Sequence, residues 1–463
     1  MDAHARIINR LPTRPLTTSS KSSALGKAGL FYLVFVMFSY TTGGPFGLED
    51  MVTTSGPGMT LIYLLVLPFF WCIPVSLVSA ELTTAMPVEG GFYRWTRAAF
   101  GDFWGFLAGW WNWSASFLLG GAYAVLFTDY LVYYFPRLKT TWWEHYLVSV
   151  ALIAVLTWVN LRGIQMVGQV ATALEIFIFL PVLIMIALGL LHWHRNPFLP
   201  WVPPHQATFK VFGVGLALGL WLYSGYEQLS TVAEEIENPQ RAYPRALALV
   251  VPLSMAAYFL PTLAALASAG HWEQWHTGFF SDAAALIGGS FGGRLWQARP
   301  WLGTWMTLAA MVGNVALLNS TLLTATRMPF AMAEDGYLPE VLAQKHARYG
   351  TPWLAIVVSA AIYILLAWQS LANLISVYIW LRSATTVLTV RSAWKLRRTH
   401  PQLKRSFTIP GGRAGLLYVV VAPVVMALMA LLGSDRFGLI GGAIALALGP
   451  LVYGIVRHTA RVA

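Results

Sequence analysis

Long apolar runs separated by short polar connections occupy most of this chain. Twelve of them approach the roughly 17–25 residues that an α-helix needs to cross a bilayer's hydrocarbon core. The first five lie near 29–54, 58–83, 103–132, 144–160 and 170–191. The next five lie near 210–235, 246–269, 301–330, 352–369 and 371–391, and the last two near 414–432 and 437–456. The longest connections, about 270–300 and 392–413, are too short to be separate soluble domains.

Two of these runs are broken near the middle. The first break reads Thr41-Thr42-Gly43-Gly44-Pro45-Phe46-Gly47-Leu48-Glu49-Asp50, and the second Tyr223-Ser224-Gly225-Tyr226-Glu227-Gln228. Unwound backbone is tolerated at membrane depth only where it faces protein or a water-filled cavity, because each unpaired amide in hydrocarbon costs several kcal/mol. Broken spans at corresponding places in two halves of a chain point to the binding site of a transporter.

Composition agrees with a membrane location. Of 463 residues, 57% are hydrophobic and only 11% charged, against about 25% charged in soluble domains. The single cysteine, Cys72, lies inside an apolar run, which excludes a disulfide framework or cysteine-ligated metal. The histidines lie mostly in connections and show no metal-ligand spacing on one helix face. The net charge of +11 would suit nucleic acid, but its placement says otherwise. With the N-terminus inside, 22 Lys and Arg fall on the inner side and 7 on the outer, with Arg382 left inside a span. That asymmetry predicts two cytoplasmic termini and accounts for the basic balance without nucleic acid. Trp142, Trp143, Trp193, Trp201 and Trp301 fall at the expected outer boundaries, as an aromatic belt requires.

Five spans precede the second broken one, so the two broken spans run antiparallel. The expected fold is therefore an all-α membrane protein of twelve transmembrane helices, a five-plus-five inverted repeat with two C-terminal helices appended. Its segments are a basic cytoplasmic tail (1–28), a first repeat (29–192), a second (210–391), a basic cytoplasmic loop (392–413) and the appended pair (414–457). The polar, basic first residues do not have the form of a cleaved signal peptide.

Four stretches carry a resemblance. They are Gly225-Tyr226-Glu227 with Glu235-Ile236-Glu237-Asn238-Pro239-Gln240-Arg241 and Pro244; Ala80-Glu81-Leu82 with Pro87, Gly90-Gly91, Tyr93 and Phe100-Gly101; Glu334-Asp335-Gly336-Tyr337-Leu338-Pro339 with Thr351-Pro352; and Leu396-Arg397, Pro401 and Arg405-Ser406-Phe407-Thr408-Ile409-Pro410. In order and spacing the set resembles the amino acid–polyamine–organocation superfamily of secondary transporters. Gly43 to Asp50, and Ala122-Tyr123-Ala124-Val125-Leu126 with Asp129-Tyr130-Leu131, resemble its proton-coupled polyamine-uptake branch. The chain departs from that branch at Glu227, where Asp is usual, and at Arg405-Ser406, where Arg-Pro is usual. Some amino-acid carriers of the superfamily place a lysine in the fifth span that substitutes for sodium. That position is Ile178 here, which makes Glu175, one turn earlier, the candidate for coupling.

The resemblance implies a carboxylate site at the first break and an amine site at the second. Gly43, Gly44 and Gly47 allow close approach of a substrate to the backbone, and Phe46, Tyr223, Ser224 and Gly225 complete the candidate contacts at the breaks. The resemblance places an aromatic gate at Trp221, four residues before Gly225, with packing or the aromatic belt as the alternative. Tyr123 and Asn314 are further candidates, as is Trp113, although ordinary packing also accounts for each. Glu49 and Asp50 compensate the dipole of the outer half-helix, worth about 0.3–1 kcal/mol each. Alternatively they occupy the positive end that a substrate carboxylate would use. With Glu227 at the second break, the acids favour a cation over a zwitterion, and Asp50 joins Glu175 as a coupling candidate. Glu175 and Arg382 either pair with each other or act separately, since a charge at the bilayer centre costs at least ~2.5–3.5 kcal/mol and must face the bundle interior. The Glu234-Glu235-Ile236-Glu237-Asn238-Pro239 run reads as solvated loop with a secondary role at an inner gate.

The sequence reading is thus a secondary transporter of the cell membrane that moves amino acids or polyamines by alternating access, with protons as the coupling ion and no cofactor. Its partners are a small organic cation or amino acid and the lipid bilayer, with the oligomeric state left open. Two alternatives are a neutral amino-acid exchanger and, in another class, a channel. No connection gathers a nucleophile, a base and an orienting acid, so an enzyme is not expected.

Overall fold

The computed structural model describes residues 30–86, 90–163, 168–204, 208–226, 239–269, 271–289 and 300–462. The basic tail, Pro87, Glu227 and the run Glu234–Asn238 lie outside the described residues. Among those described, all regular structure is helical. Helix is the economical solution for an apolar chain without water, because each span satisfies its backbone internally. Among the described residues eight helical segments are long and apolar enough to cross a membrane, making this a multi-pass membrane protein.

The first broken run becomes α1 (Leu30–Thr41) and α2 (Glu49–Ser55), with the chain unwound between them. Next comes α3 (Pro57–Ala85), which widens into a π-helical turn at Pro68–Cys72, where Pro68 has no N–H to donate. A short amphipathic helix, α4 (Gly91–Phe100), leads into α5 (Asp102–Leu131). Then follow α6 (Trp142–Leu161) and α7 (Gly168–Leu191). The second broken run supplies α8 (Thr208–Leu222), after which residues 223–226 are unwound. Helix α9 covers Pro239–Ser268 among the described residues. The remaining helices are α10 (Phe279–Gly289), α11 (Trp301–Ala325), α12 (Arg327–Glu334), α13 (Trp353–Leu366), α14 (Leu371–Thr399), α15 (Gly412–Leu432) and α16 (Arg436–Val462).

Two departures from the hydrophobic pattern stand out. Helices α4 and α10 are short and lie outside the expected runs; the run expected near 301–330 extends to Glu334 and is interrupted at Thr326, between α11 and α12. Helix α14 continues to Thr399 instead of ending near 391, and its last turn carries Arg397 and Arg398, which complement the helix dipole.

Packing sorts the helices into two groups. Helices α1, α2, α3, α8 and α9 pack largely on one another, while α5 packs on α6, α11, α13 and α14. Helix α7 bridges α9 and α11, and α14 also touches α3 and α8. The apolar window of α14 is 67% buried and that of α16 only 11%, which puts α14 at the centre and α16 on the rim.

Three of the stretches that carried the resemblance meet at the face the charge distribution puts inside. Glu81, at the end of α3, is fully buried. It accepts hydrogen bonds from Arg397 Nε at 2.7 Å, from Arg397 Nη2, and from the Ile409 amide at 2.9 Å. Arg405 Nε lies 3.4 Å from the same carboxylate. Nearby, Asp335 receives Tyr93 Oη at 2.6 Å and lies 3.1 Å from both Arg94 and Arg97; Arg97 also reaches Asp102 at 2.8 Å. The motifs are therefore fasteners between distant connections. Breaking a buried pair by removing one partner costs about 3–5 kcal/mol. Glu81→Ala is expected near the lower end of that range, because its arginines are partly exposed and can rehydrate. Arg397→Ala is expected to cost more, because it strips a fully buried carboxylate. Denaturation midpoints of the two variants in detergent check that order.

Candidate functional site

The two unwound segments face each other across one small cavity. It is lined by Thr41, Gly43, Gly44 and Phe46 from the first break, and by Trp221, Leu222, Ser224 and Gly225 from the second. Leu119, Tyr123 and Leu126 of α5, Tyr258 of α9, Asn314, Leu317, Ser320 and Thr321 of α11, and Tyr378 of α14 complete the wall. Its free volume is about 60 Å³, room for a few waters at ~10–15 Å³ each. A polyamine or amino acid enters only if the walls move apart.

Side chains from neighbouring helices hold the breaks open. Thr42 Oγ1 shares a 2.8 Å hydrogen bond with Ser254 Oγ of α9, and Tyr258 Oη donates to the Thr41 carbonyl at 3.0 Å. At the second break Trp71 Nε1 donates to Ser224 Oγ at 3.0 Å, and Tyr243 Oη donates to the Tyr226 carbonyl at 3.0 Å. Gly44 (φ +97°) and Gly225 (φ +108°) occupy the left-handed region that side chains rarely adopt. A Cβ on Gly44 would also run into the Phe46 ring.

The electrostatics follow from the helix ends. Helices α1 and α8 both finish at the cavity, so each directs its partially negative C-terminus towards it. The positive N-terminus of α2 begins at Glu49, beyond Phe46, and carries two acids in its first turn. No charged side chain lines the cavity among the described residues. Asn314, 1% exposed, donates Nδ2 to the Ala310 carbonyl at 2.9 Å; its Oδ1 has no hydrogen-bond partner among the described residues. Rings of Phe46, Tyr123, Trp221, Tyr258 and Tyr378 supply much of the remaining wall, with Tyr123 and Trp221 in tilted contact at 6.4 Å. Weakly negative helix ends, a free amide oxygen and aromatic faces make a setting for a cation.

The structure brings together Gly43, Gly44, Phe46, Tyr123, Trp221, Ser224, Gly225 and Asn314 of the residues expected from sequence. It does not place the others at this wall. Tyr223 turns away, donating Oη to the Leu64 carbonyl at 2.7 Å and packing edge-on against Tyr258. Gly47 lies behind Trp221 and Leu126, and its amide donates to Glu49 Oε2 at 2.7 Å. Asp50 accepts from Thr277 Oγ1 at 2.8 Å and lines a separate cleft of about 430 Å³, outer by the charge distribution, with Asp129, His145 and His276. Trp113 directs its indole towards Ser359, 3.4 Å away. Glu227 lies outside the described residues.

The buried charges are likewise separate. Arg382 is 3% exposed and reaches Asn112 Oδ1 at 3.5 Å, and it does not line the cavity. Glu175 faces Ser39 of α1 and Arg382 faces Asn112 of α5, so of the two alternatives the geometry favours separate placement. Tyr258 and Tyr378 are wall residues that the sequence pattern does not single out. Their only sequence signal is a tyrosine within an apolar run, which packing explains equally well.

Comparison with known proteins agrees with this geometry. Residues 29–440 match the family model for amino acid permeases. A probable polyamine transporter of Arabidopsis thaliana is 31% identical over 98% of this chain and 88% of its own length. A polyamine transporter of Oryza sativa subsp. japonica is 33% identical over 88% of this chain and 76% of its own. A serine/threonine exchanger of Bacillus subtilis is 26% identical over 82% of this chain and 85% of its own. With the family model spanning nearly the whole chain and relatives above 30% identity aligned along most of it, this chain belongs to the amino acid permease family.

Proposed function

We propose that this permease carries a small organic cation of the polyamine type across the cell membrane, by alternating access and in symport with protons. One observation carries the cationic reading: the C-termini of α1 and α8 converge on a cavity whose described wall holds no basic side chain. Glu227, next but one to Gly225 in sequence, would add a carboxylate to that negative setting. The substrates named for the plant relatives support the same class. The exchanger relative supports a second reading, exchange of a neutral amino acid such as serine or threonine.

The proposal includes a topology of twelve spans, with the five-helix segments 29–192 and 210–391 inverted relative to each other, 392–413 cytoplasmic, and 414–457 appended. The packing of α2 on α8 supports it, because an inverted repeat brings its broken helices together. The charge distribution supports cytoplasmic termini. No role as an enzyme enters the proposal.

Uptake of radiolabelled substrate into proteoliposomes, with polyamines competing against amino acids, separates the two readings. Polyamines are expected to compete and serine or threonine not to. Glu227→Gln is expected to weaken a polyamine by the roughly 1.5–3 kcal/mol of one hydrogen bond to a charged group, while leaving a neutral amino acid little changed. Equal loss for both would make Glu227 structural.

Replacing Gly44 or Gly225 by valine is expected to abolish substrate binding in a protein that still inserts and runs monodisperse. The β-branched side chain would force a left-handed residue and fill the approach to the backbone. Wild-type affinity in a scintillation proximity assay would remove these breaks from the site.

Glu175 is the proposed proton carrier. Glu175→Gln is expected to leave exchange intact while abolishing accumulation driven by an imposed pH gradient. A variant that still concentrates substrate with acid outside rules the role out.

A further inference from the structure

We infer that Glu49 and Tyr130 form the outer gate of this permease, a latch that must part whenever the central cavity opens outwards. Glu49 is fully buried, yet its carboxylate does not line the cavity. It accepts hydrogen bonds from three parts of the chain: the Gly47 amide at 2.7 Å in its own break, Tyr130 Oη of α5, and the Gly278 amide at 3.2 Å just before α10. Compensation of the α2 dipole would need only an acid in the first turn, and Asp50 already supplies one. The partners of Glu49 reach across instead. Helix α2 belongs to the group that packs on α8, whereas Tyr130 belongs to α5 in the other group.

The latch also sits at the boundary between two cavities. Along α5, Leu119, Tyr123 and Leu126 face the central cavity, while Asp129 faces the outer cleft. Along the first break, Phe46 faces the central cavity and Asp50 the outer cleft. Glu49 and Tyr130 therefore occupy the step between them, with Phe46 edge-on against Tyr130 at 5.2 Å as an apolar plug. A solute passing from the cleft to the cavity has to separate α2 from α5 here. Doing so breaks the Tyr130 bond and uncovers a carboxylate that water then hydrates, so the closed state holds through a contact that hydration can replace.

The inference rests on the central cavity being the transport site and on the 271–289 face being external. The test uses full-length protein in intact cells, with Cys72→Ser removing the native thiol and Leu119→Cys supplying a single one on the cavity wall. Tyr130→Phe keeps the ring and its packing but removes one hydrogen bond to a charged group. It is expected to raise labelling of the introduced thiol by an impermeant cationic methanethiosulfonate at least about tenfold, and Glu49→Gln to do likewise. An unchanged or slower rate in both variants, each monodisperse in detergent, overturns the latch. Spermidine at saturating concentration is expected to protect that thiol. If the variants raise labelling but spermidine gives no protection, the latch stands and the substrate reading of the cavity falls.

Discussion

An amide or carbonyl left unpaired in hydrocarbon costs several kcal/mol, and this structure is organised around the two places where the helical ladder is interrupted. Side chains reach into the described part of each break. Thr42 is tied to Ser254, the Thr41 carbonyl to Tyr258, Gly47 to Glu49, Ser224 to Trp71 and the Tyr226 carbonyl to Tyr243. The partners come from α3 and α9 or from the break itself, within the group of helices that contains both broken segments. The described unwound backbone is thereby fastened to that group. Motion between the two groups can open the cavity without dismantling the breaks.

Charge is distributed with the same economy. A bare ion in a low-dielectric interior is expensive, and a buried carboxylate persists where several donors surround it. Glu49 is met by three donors on one side of the cavity, and Glu81 and Asp335 by arginines, one amide and a tyrosine on the other. Between them the described cavity wall is uncharged. Its polarity comes from helix ends, from the Asn314 amide oxygen and from aromatic faces, each modest in strength. For a carrier that is a useful balance, because a fully paired ion would be held too tightly to leave.

The two groups of helices are held together at both faces by fasteners of different kinds. On one face Glu81 of α3 is held by Arg397 of α14 and by Arg405, both partly exposed, while the Asp335 cluster ties Arg94 and Arg97 of α4 to the turn after α12. On the outer face the contact is one buried carboxylate shared by a tyrosine and two amides. Few bonds, and no permanent counter-charge among the described residues, make the outer contact the easier one to exchange for water.

The apolar runs alone determined that the chain is helical and crosses the membrane many times, because a bilayer leaves the backbone no other local solution. The glycines and polar residues at 41–50 and 223–228 likewise marked the breaks, since unwound backbone needs such residues. Sequence could not separate neighbours within a break. Tyr223 and Ser224 are adjacent, yet Ser224 lines the cavity and Tyr223 turns to Leu64; Glu49 and Asp50 are adjacent, yet one joins α2 to α5 and the other faces the outer cleft. Outside a helix the direction of each side chain is set by the partners that satisfy the freed backbone, and those partners lie up to more than two hundred residues away. For the same reason the choice between a Glu175–Arg382 pair and two separate charges could not be read from their both being buried. Helix packing sends one towards α1 and the other towards Asn112, and only the tertiary structure carries that information.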